Sequence, residues 1–359
     1  MKLPDAGGRI LRSPALAVLL VAPFFGETLS TATPPLDLIL PWRLPLMVAL
    51  YGCGALLCRE ITQRFGLGLP GLCLLGAAYA VYEEALVDRF WFDPRYWDDV
   101  GIGAYSEVWD TNLLIATHLT AFHTAVSICA SVLIVERLFP ASRHRPWVTR
   151  RGLIIAGCAL FAALPLTYAD FIRVPAAQLL AATALCALLI GCAFVRARPH
   201  HRADTETPPR THTADRPAPH AATTDPPEWK LDAGLSEQPE PSAGRTRLRR
   251  PDRPRLLGFI AFAGTAVHFV LVYTVATTGL AWPLGTAAAL APVAVAALLI
   301  RRLATGTEGL WIVTGVLAFF LVLDIAVGLG GRYDLSLGAL AVAFGLWKLH
   351  KKGLTPDRG

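Results

Sequence analysis

The sequence predicts an all-α fold, a polytopic transmembrane helical bundle of about ten helices with both termini in the cytoplasm. Of the 359 residues, 54% are hydrophobic, and the mean hydropathy is +0.47. Several apolar runs approach or exceed the roughly 20 residues that a helix needs to cross a bilayer. Basic residues collect on one side of these runs, as they do in cytoplasmic loops.

The candidate spans follow the apolar runs along the chain. They cover residues 10–29, 44–60, 67–87, 111–135, 152–169, 174–195, 256–279, 282–300, 308–330 and 335–349. With the N-terminus inside, 28 of the 33 Lys and Arg residues are cytoplasmic, and five are outside: Arg43, Arg89, Arg95, Arg173 and Arg332. The first span could instead be a cleaved signal peptide, which would leave the orientation of the later spans unchanged.

Residues 196–255 differ from the rest of the chain, since they hold 11 of its 27 prolines and few large apolar residues. Such a segment cannot bury enough apolar surface to fold, so we predict a disordered cytoplasmic linker. The linker divides the chain into an N-terminal six-helix module (1–195) and a C-terminal four-helix module (256–350), which a cytoplasmic tail (351–359) follows. The basic end of the linker could contact anionic lipid headgroups.

The composition argues against several other classes of protein. The net charge of +6 follows from basic cytoplasmic loops, so no nucleic-acid partner is expected. The seven cysteines lie in or beside apolar runs without metal-ligand spacing and are expected to be small core residues. No cofactor is predicted. Arg59 and Glu60 end the second span, where we expect the arginine to reach the lipid headgroups.

Adjacent carboxylates, Glu83 and Glu84, end the third span. Ionisable groups inside a membrane are costly enough that they indicate a functional site by default. Glu27 ends the first span at a similar level, and His118 lies about 10 Å below the start of the fourth span at 1.5 Å per residue. These four side chains are therefore predicted to share a layer in the outer half of the membrane.

Small residues precede Glu84 at four-residue spacing, so we predict that Glu84 faces the bundle and Glu83 its edge. Neighbouring helical residues point about 100° apart, so only one of the two should directly face a given partner. His123 lies deeper, at about 18 Å. It is five residues from His118, which disfavours a two-histidine metal site, and no metal is predicted.

Further candidates are Arg89, which follows the carboxylate pair, and the secondary candidates His268 and Asp324 in the C-terminal module. A purely structural role competes with a functional one for each of them. A carboxylate could pair with Arg89, and a histidine could form a hydrogen bond across a helix interface.

Three segments carry a family resemblance: YGCGALLCREITQRFG (Tyr51 to Gly66), GAAYAVYEEALVDRFWFDP (Gly76 to Pro94) and HTAVSICASVLIVERLFP (His123 to Pro140). Over about residues 20–150 the chain resembles uncharacterised actinobacterial multi-pass integral membrane proteins. The resemblance implies a membrane location and brings no known activity.

The glutamate pair is also similar to the first motif of the CAAX-protease-like intramembrane peptidases, in which an arginine follows the second glutamate by four residues. Here Arg89 follows Glu84 by five. Leu114 and His118 stand where that family has a phenylalanine and a histidine, and no later histidine within the candidate spans has Asn or Asp four residues on. This resemblance would imply hydrolytic chemistry at Glu83, Glu84 and His118.

Three hypotheses follow for a multi-pass protein of the cell (inner or plasma) membrane. The first is a transporter or binding protein for a small solute or protons. The second is a CAAX-protease-like hydrolase, and the third is a non-catalytic scaffold whose polar groups are all paired internally. The sequence does not decide whether the protein is an enzyme, and it leaves the substrate, the protein partners and the oligomeric state open.

Overall fold

The computed structural model describes residues 13–166, 172–195 and 252–354. The predicted tail after residue 354 and the linker up to residue 251 lie outside the described residues. Twelve helices and one two-stranded ribbon are described. The long helices that follow the predicted spans are α1 (Pro14–Thr28), α3 (Arg43–Phe65), α4 (Gly68–Val81, then Tyr82–Val87), α6 (Leu113–Leu138), α7 (Arg150–Leu166), α8 (Ala176–Val195), α9 (Asp252–Thr277), α10 (Trp282–Leu303), α11 (Gly309–Leu329) and α12 (Tyr333–Leu354).

The two short helices and the ribbon lie in loops at one end of the bundle, which we call the outer end after its predicted orientation. They are α2 (Pro35–Leu38), α5 (Pro94–Asp99), β1 (Glu107–Val108) and β2 (Thr111–Asn112). The ribbon is antiparallel, with Glu107 opposite Asn112.

Local sequence signals set several helix ends. Pro14 follows the N-cap residue Ser13, and Asn112 caps α6 by accepting a 3.0 Å hydrogen bond from the backbone N–H of Ile115. Such caps satisfy amide groups that have no partner within the helix. At the C-terminal end of α3, Gly66 adopts a left-handed φ of 62°. A glycine accommodates this conformation without steric cost, and the turn lets α4 begin two residues later.

Six of the described helices are long and apolar enough to cross a membrane: Arg43–Phe65, Leu113–Leu138, Ala176–Val195, Asp252–Thr277, Trp282–Leu303 and Gly309–Leu329. The predicted class, a helical membrane bundle, is confirmed. The count of ten spans and the inside location of the termini stay predictions.

Helices on both sides of the linker share one apolar core. Phe25 of α1 and Phe122 of α6 belong to the same buried cluster as Leu317 and Phe320 of α11. The rings of Phe122 and Phe320 lie 5.3 Å apart in an edge-on arrangement. α11 therefore supports the helices that carry the carboxylate pair and the histidines.

The outer end is covered by a folded segment, residues 88–112, which we call the aromatic cap. Trp97 is buried at its centre and donates a 2.8 Å hydrogen bond from Nε1 to the carbonyl of Phe90. The hydroxyls of Ser106 and Thr286 lie 2.9 Å apart, which attaches the cap to α10. The cap places the end of α4 below a layer of packed aromatic side chains.

The opposite, inner end is held by a buried ion network. Arg59 is 1% exposed and donates to Glu60 at 2.9 Å and to the carbonyl of Arg143 at 2.7 Å. Its guanidinium also lies 3.8 Å from the ring centre of Trp147. The prediction that Arg59 reaches the headgroups is wrong, because the loop after α6 folds back over its side chain and supplies its acceptors.

Candidate functional site

Four helices change from α to π hydrogen bonding where they meet at the outer half of the bundle. The π segments in the described part of the chain are Phe24–Thr28, Val48–Gly52, Tyr82–Val87 and His123–Ala130. They carry, in that order, Glu27, Tyr51, the pair Glu83 and Glu84, and His123. Short π segments inside α-helices are rare and are frequently found at functional sites.

His123 lies between the two carboxylates. Its Nδ1 is 3.1 Å from Oε2 of Glu83, and its Nε2 is 2.6 Å from Oε1 of Glu84. All three residues are buried, with Glu83 fully shielded from solvent. The arrangement brings two acidic groups and one imidazole together inside the helical bundle.

The prediction that Glu84 faces the bundle while Glu83 faces its edge is wrong, since both contact the same imidazole. In the π segment the N–H of Asp88 donates to the carbonyl of Glu83, five residues back, at 2.8 Å. This wider turn changes the angular positions expected for an α-helix. The two carboxylates also reach different ring nitrogens, which a single imidazole presents on different sides.

The predicted partner within span 4 was His118, but the structure places His123 against the pair. The predicted layer places the end of span 3 near the outer membrane surface. In the structure the aromatic cap covers the end of α4, so the pair lies beneath packed side chains and at the level of the deeper histidine.

Ser127 and Tyr51 complete the surroundings of His123. The hydroxyl of Ser127 lies 2.9 Å from Nδ1 of His123, one helical turn further along α6. The ring of Tyr51 is tilted against the imidazole at 5.8 Å between centres. Gly26 makes this packing possible, because a Cβ there would lie 2.6 Å from the Tyr51 ring and 2.9 Å from the Ser127 hydroxyl.

A cavity of about 570 Å³ leads from the outer end to Glu84 and His123. Its walls come from α1 and the loop after it, from α3, α4, α6 and α9, and from the cap. The charged, titratable and aromatic residues that line it are Glu27, Arg43, Tyr51, Glu84, Asp88, Phe90, Tyr96, His118, Phe122, His123, Phe269 and Tyr273.

The cavity is acidic. Glu27, Glu84 and Asp88 line it, and Glu83 lies directly behind His123. Among the described residues that line it, Arg43 is the one arginine or lysine. Glu27 is held in place by Thr33, whose hydroxyl donates a 2.6 Å hydrogen bond to its carboxylate.

His118 lines the same cavity but has a different partner. Its Nδ1 lies 3.0 Å from Nε2 of His268, and Nδ1 of His268 lies 2.7 Å from the carbonyl of Ala289. The carbonyl can only accept, so His268 carries its proton on Nδ1, and its Nε2 accepts from Nδ1 of His118. Nε2 of His118 is then an acceptor.

The remaining candidates lie away from the carboxylate pair. Arg89 has a left-handed φ of 60° and donates a 3.0 Å hydrogen bond to the carbonyl of Ile172, next to α8. Asp324 of α11 is buried but does not line the cavity, and its carboxylate has no hydrogen-bond partner among the described residues. The structure thus places Glu27, Glu83, Glu84, His118 and His123 at one site and connects His268 to that site through His118. Arg89 and Asp324 lie apart from it.

Three residues of the site were absent from the predicted set: Tyr51, Asp88 and Ser127. Asp88 and Ser127 follow Glu84 and His123 by four residues, and this spacing places side chains on one helical face. That signal could have found them. Tyr51 carries no such signal, because its approach depends on the glycine at position 26.

A family model described as "Uncharacterized membrane protein family" matches residues 16–349 of the chain. No curated protein matches, and no solved structure matches.

Proposed function

Since the chain belongs to this uncharacterised family of membrane proteins, whose description leaves the activity open, we propose that it binds a small cation at Glu83, Glu84 and His123. In this proposal the cation enters from the outer end, and binding is the first step of permease-like transport. The inner or plasma membrane of the cell is the proposed location.

The observation that carries the proposal is the excess of carboxylates in a buried, membrane-level cavity. Removing ionised carboxylates from water without a counter-charge costs several kcal/mol or more per group. Arg43 is one positive charge against Glu27, Glu84, Asp88 and the adjacent Glu83. A bound cation or bound protons would supply the missing positive charge.

The size and lining of the cavity support a small ligand. Ligand cavities in proteins commonly measure roughly 300–1,000 Å³, and this one measures about 570 Å³. Aromatic side chains such as Tyr96 and Phe269 line the same cavity as the carboxylates. Their ring faces attract cations and would favour entry of positively charged solutes.

Equilibrium binding to the purified full chain in lipid nanodiscs tests this proposal. Calorimetric titrations would use sodium, potassium, guanidinium, choline, magnesium, calcium and zinc ions. We expect at least one cation to bind, and Glu84→Gln to weaken its binding by about tenfold or more, equivalent to about 1.4 kcal/mol. The matched control is Glu107→Gln, an exposed carboxylate of the cap. Absence of binding by all seven cations, or equal binding by Glu84→Gln, would overturn the proposal.

A hydrolase is the second candidate, favoured by the 2.6 Å contact between Glu84 and His123. A carboxylate and an imidazole within about 2.6–3.2 Å meet the geometric condition for activating a water molecule. This version of the site uses His123 in place of the predicted His118. Chromogenic ester and peptide substrates test this candidate. If the chain releases their coloured product and Glu84→Gln abolishes that release, a hydrolase is favoured over cation binding.

The scaffold hypothesis receives less support. A scaffold predicts that the polar groups are fully paired, yet both carboxylate oxygens of Glu83 and Oε2 of Glu84 are buried without a hydrogen-bond partner in the described part of the chain. Unpaired buried groups destabilise a fold. Their retention is better explained by a ligand.

A further inference from the structure

We infer that the cation is a divalent transition-metal ion, bound directly by Glu83, Glu84 and His123. This inference rests on the proposed function and specifies its ligand.

The donor atoms are already grouped. One carboxylate oxygen from each glutamate and one ring nitrogen of His123 lie within 4.8 Å of one another. Bonds of about 2.0–2.2 Å from oxygen or nitrogen to an ion such as Zn²⁺ require donors within about 4.4 Å of one another. The side chains must therefore rotate to bring all three donors to bonding distance of one ion.

A second observation points to a ligand at the same place. Glu83 is 0% exposed, and neither of its oxygens has a hydrogen-bond partner among the described residues. Its Oε2 lies 3.1 Å from Nδ1 of His123 without meeting hydrogen-bond geometry. One of these two oxygens belongs to the group of donors, where a metal ion would use its lone pair.

Access to the three donors selects for a small ion. The cavity reaches Glu84 and His123, whereas Glu83 is not among the residues that line it. An organic cation could contact the first two side chains, but a ligand that also reaches Glu83 must fit between them. A bare metal ion can do so, and a charge of +2 balances two carboxylates.

The donor types indicate the class of metal. Carboxylates alone would suit Ca²⁺ or Mg²⁺, which prefer six or more oxygen ligands. An imidazole together with carboxylates suits Zn²⁺, Mn²⁺, Fe²⁺, Co²⁺ or Ni²⁺. Cysteine is absent from this group of donors, so metals that require thiolate ligands are disfavoured.

The surroundings of His123 fit a metal-binding histidine. Such histidines usually hold one ring nitrogen in a hydrogen bond and bind the metal through the other. Here Ser127 lies 2.9 Å from Nδ1 and Nε2 faces Glu84. We assign Nδ1–H as the donor to the Ser127 hydroxyl, which leaves the lone pair of Nε2 for the metal. The Glu83 carboxylate, now 3.1 Å from Nδ1, must then rotate toward the Nε2 side of the ring when the ion binds.

Cobalt binding to the metal-free full chain in nanodiscs tests the inference. Co²⁺ reports its own coordination through visible absorption bands. We expect one Co²⁺ per chain, displacement by Zn²⁺, and loss of the bands in Glu83→Gln and His123→Ala. Ser127→Ala should weaken binding by about 10–100-fold, the usual effect of removing such a supporting group. Glu107→Gln is the matched control, and thermal melts of each variant identify those that fail to fold.

A second variant, made in a chain whose seven native cysteines are replaced by serine or alanine, gives a signal that loss of the site cannot produce. His123→Cys should bind Co²⁺ with an added, intense thiolate-to-cobalt absorption band. Co²⁺ bands that persist unchanged in this variant, or in His123→Ala, would overturn the inference. So would an absence of Co²⁺ bands in a chain that binds sodium, guanidinium or choline through Glu84. That last result would leave the proposed function standing, whereas no binding of any cation would overturn both.

Discussion

At the scale of single residues, the site depends on positions whose side chains are small or absent. Gly26 lets the ring of Tyr51 and the hydroxyl of Ser127 approach His123. Buried cores resist added volume, because close packing leaves few voids that could take up a methyl group. A glycine on α1 therefore determines the position of an imidazole on α6.

We expect Gly26→Ala to destabilise the protein by about 1–3 kcal/mol, the usual cost of overpacking, and to weaken cation binding. Its Cβ would lie 2.6 Å from the Tyr51 ring. Gly157→Ala is the matched control, since a Cβ in the middle of α7 would meet nothing within 4 Å. Thermal unfolding and calorimetry measure the two effects. Equal stability and affinity of the two variants would contradict this account of the packing.

Asp93, in the aromatic cap, gives a pH-dependent prediction. It caps α5 by accepting from the backbone N–H of Arg95 at 3.0 Å, and the Arg95 side chain also donates to it at 2.7 Å. These hydrogen bonds, chiefly that from the arginine side chain, lower the pKa of Asp93. A lowered pKa in the folded state stabilises the fold above the unfolded value of about 3.9, and this contribution is lost as the pH falls through the folded value.

We expect Asp93→Ala to destabilise the cap by about 1 kcal/mol at neutral pH. Asp93→Asn should keep most of the capping but lose the stability change below about pH 4, because asparagine caps a helix without a titrating charge. Unfolding at a series of pH values measures both. Parallel pH profiles for Asp93→Asn and the unaltered chain would argue against the assignment.

At the scale of helices and loops, the inner end is held by charges and the outer end by aromatic packing. Arg59 and Glu60 pair with each other on α3, and their further partners include the end of α6 and the loop after it. Removing one partner of an ion pair buried this completely strongly destabilises the protein, since the other charge stays buried.

We expect Arg59→Ala to destabilise the protein by about 3–5 kcal/mol and to expose the loop of residues 139–149 to proteases. Arg151→Ala is the control, because that side chain is exposed at the start of α7. Limited proteolysis and thermal unfolding report the loop and the whole fold separately. Protection of the loop in Arg59→Ala would show that other contacts hold it.

The helices after the linker also depend on close backbone contact. A Cβ at Gly315 of α11 would collide with the backbone of Gly258 on α9, and a Cβ at Gly258 would lie 2.9 Å from the carbonyl of Trp311. Small residues at such crossings let membrane helices approach closely. α9 carries His268, so this contact also supports the hydrogen bond to His118.

At the scale of the whole molecule, the bundle has two chemically distinct ends. The outer end holds an acidic cavity beneath the aromatic cap, and the inner end holds the Arg59 network. Basic residues dominate the loops assigned to the inner end, which is the basis of the predicted orientation.

Labelling of single cysteines in intact cells tests this orientation. We expect Glu107→Cys to react with a maleimide that cannot cross membranes, and Arg302→Cys to react only after the cells are opened. Both native side chains are exposed in the structure. The seven native cysteines would be replaced by serine or alanine first. Reaction of Arg302→Cys in intact cells would reverse the orientation and place the cavity on the cytoplasmic side.

The sequence by itself determined the class of the fold, because the length and hydropathy of a span depend on local composition. It also identified the residues worth examining, since Glu83, Glu84, His118 and His123 are costly in an apolar run wherever their side chains point. Spacings of four residues held the signal for Asp88 and Ser127, because neighbours on one helical face are a local property.

Only the tertiary structure decided which histidine meets the carboxylates and that both glutamates meet it together. Those facts depend on how far α4 and α6 slide past each other and on where their hydrogen bonding changes from α to π. Both are settled by packing between helices that are distant in sequence, including the approach permitted by Gly26 and the cover supplied by the aromatic cap. An assumption of regular α-helices ending at the membrane surface predicts the wrong partner for the same residues.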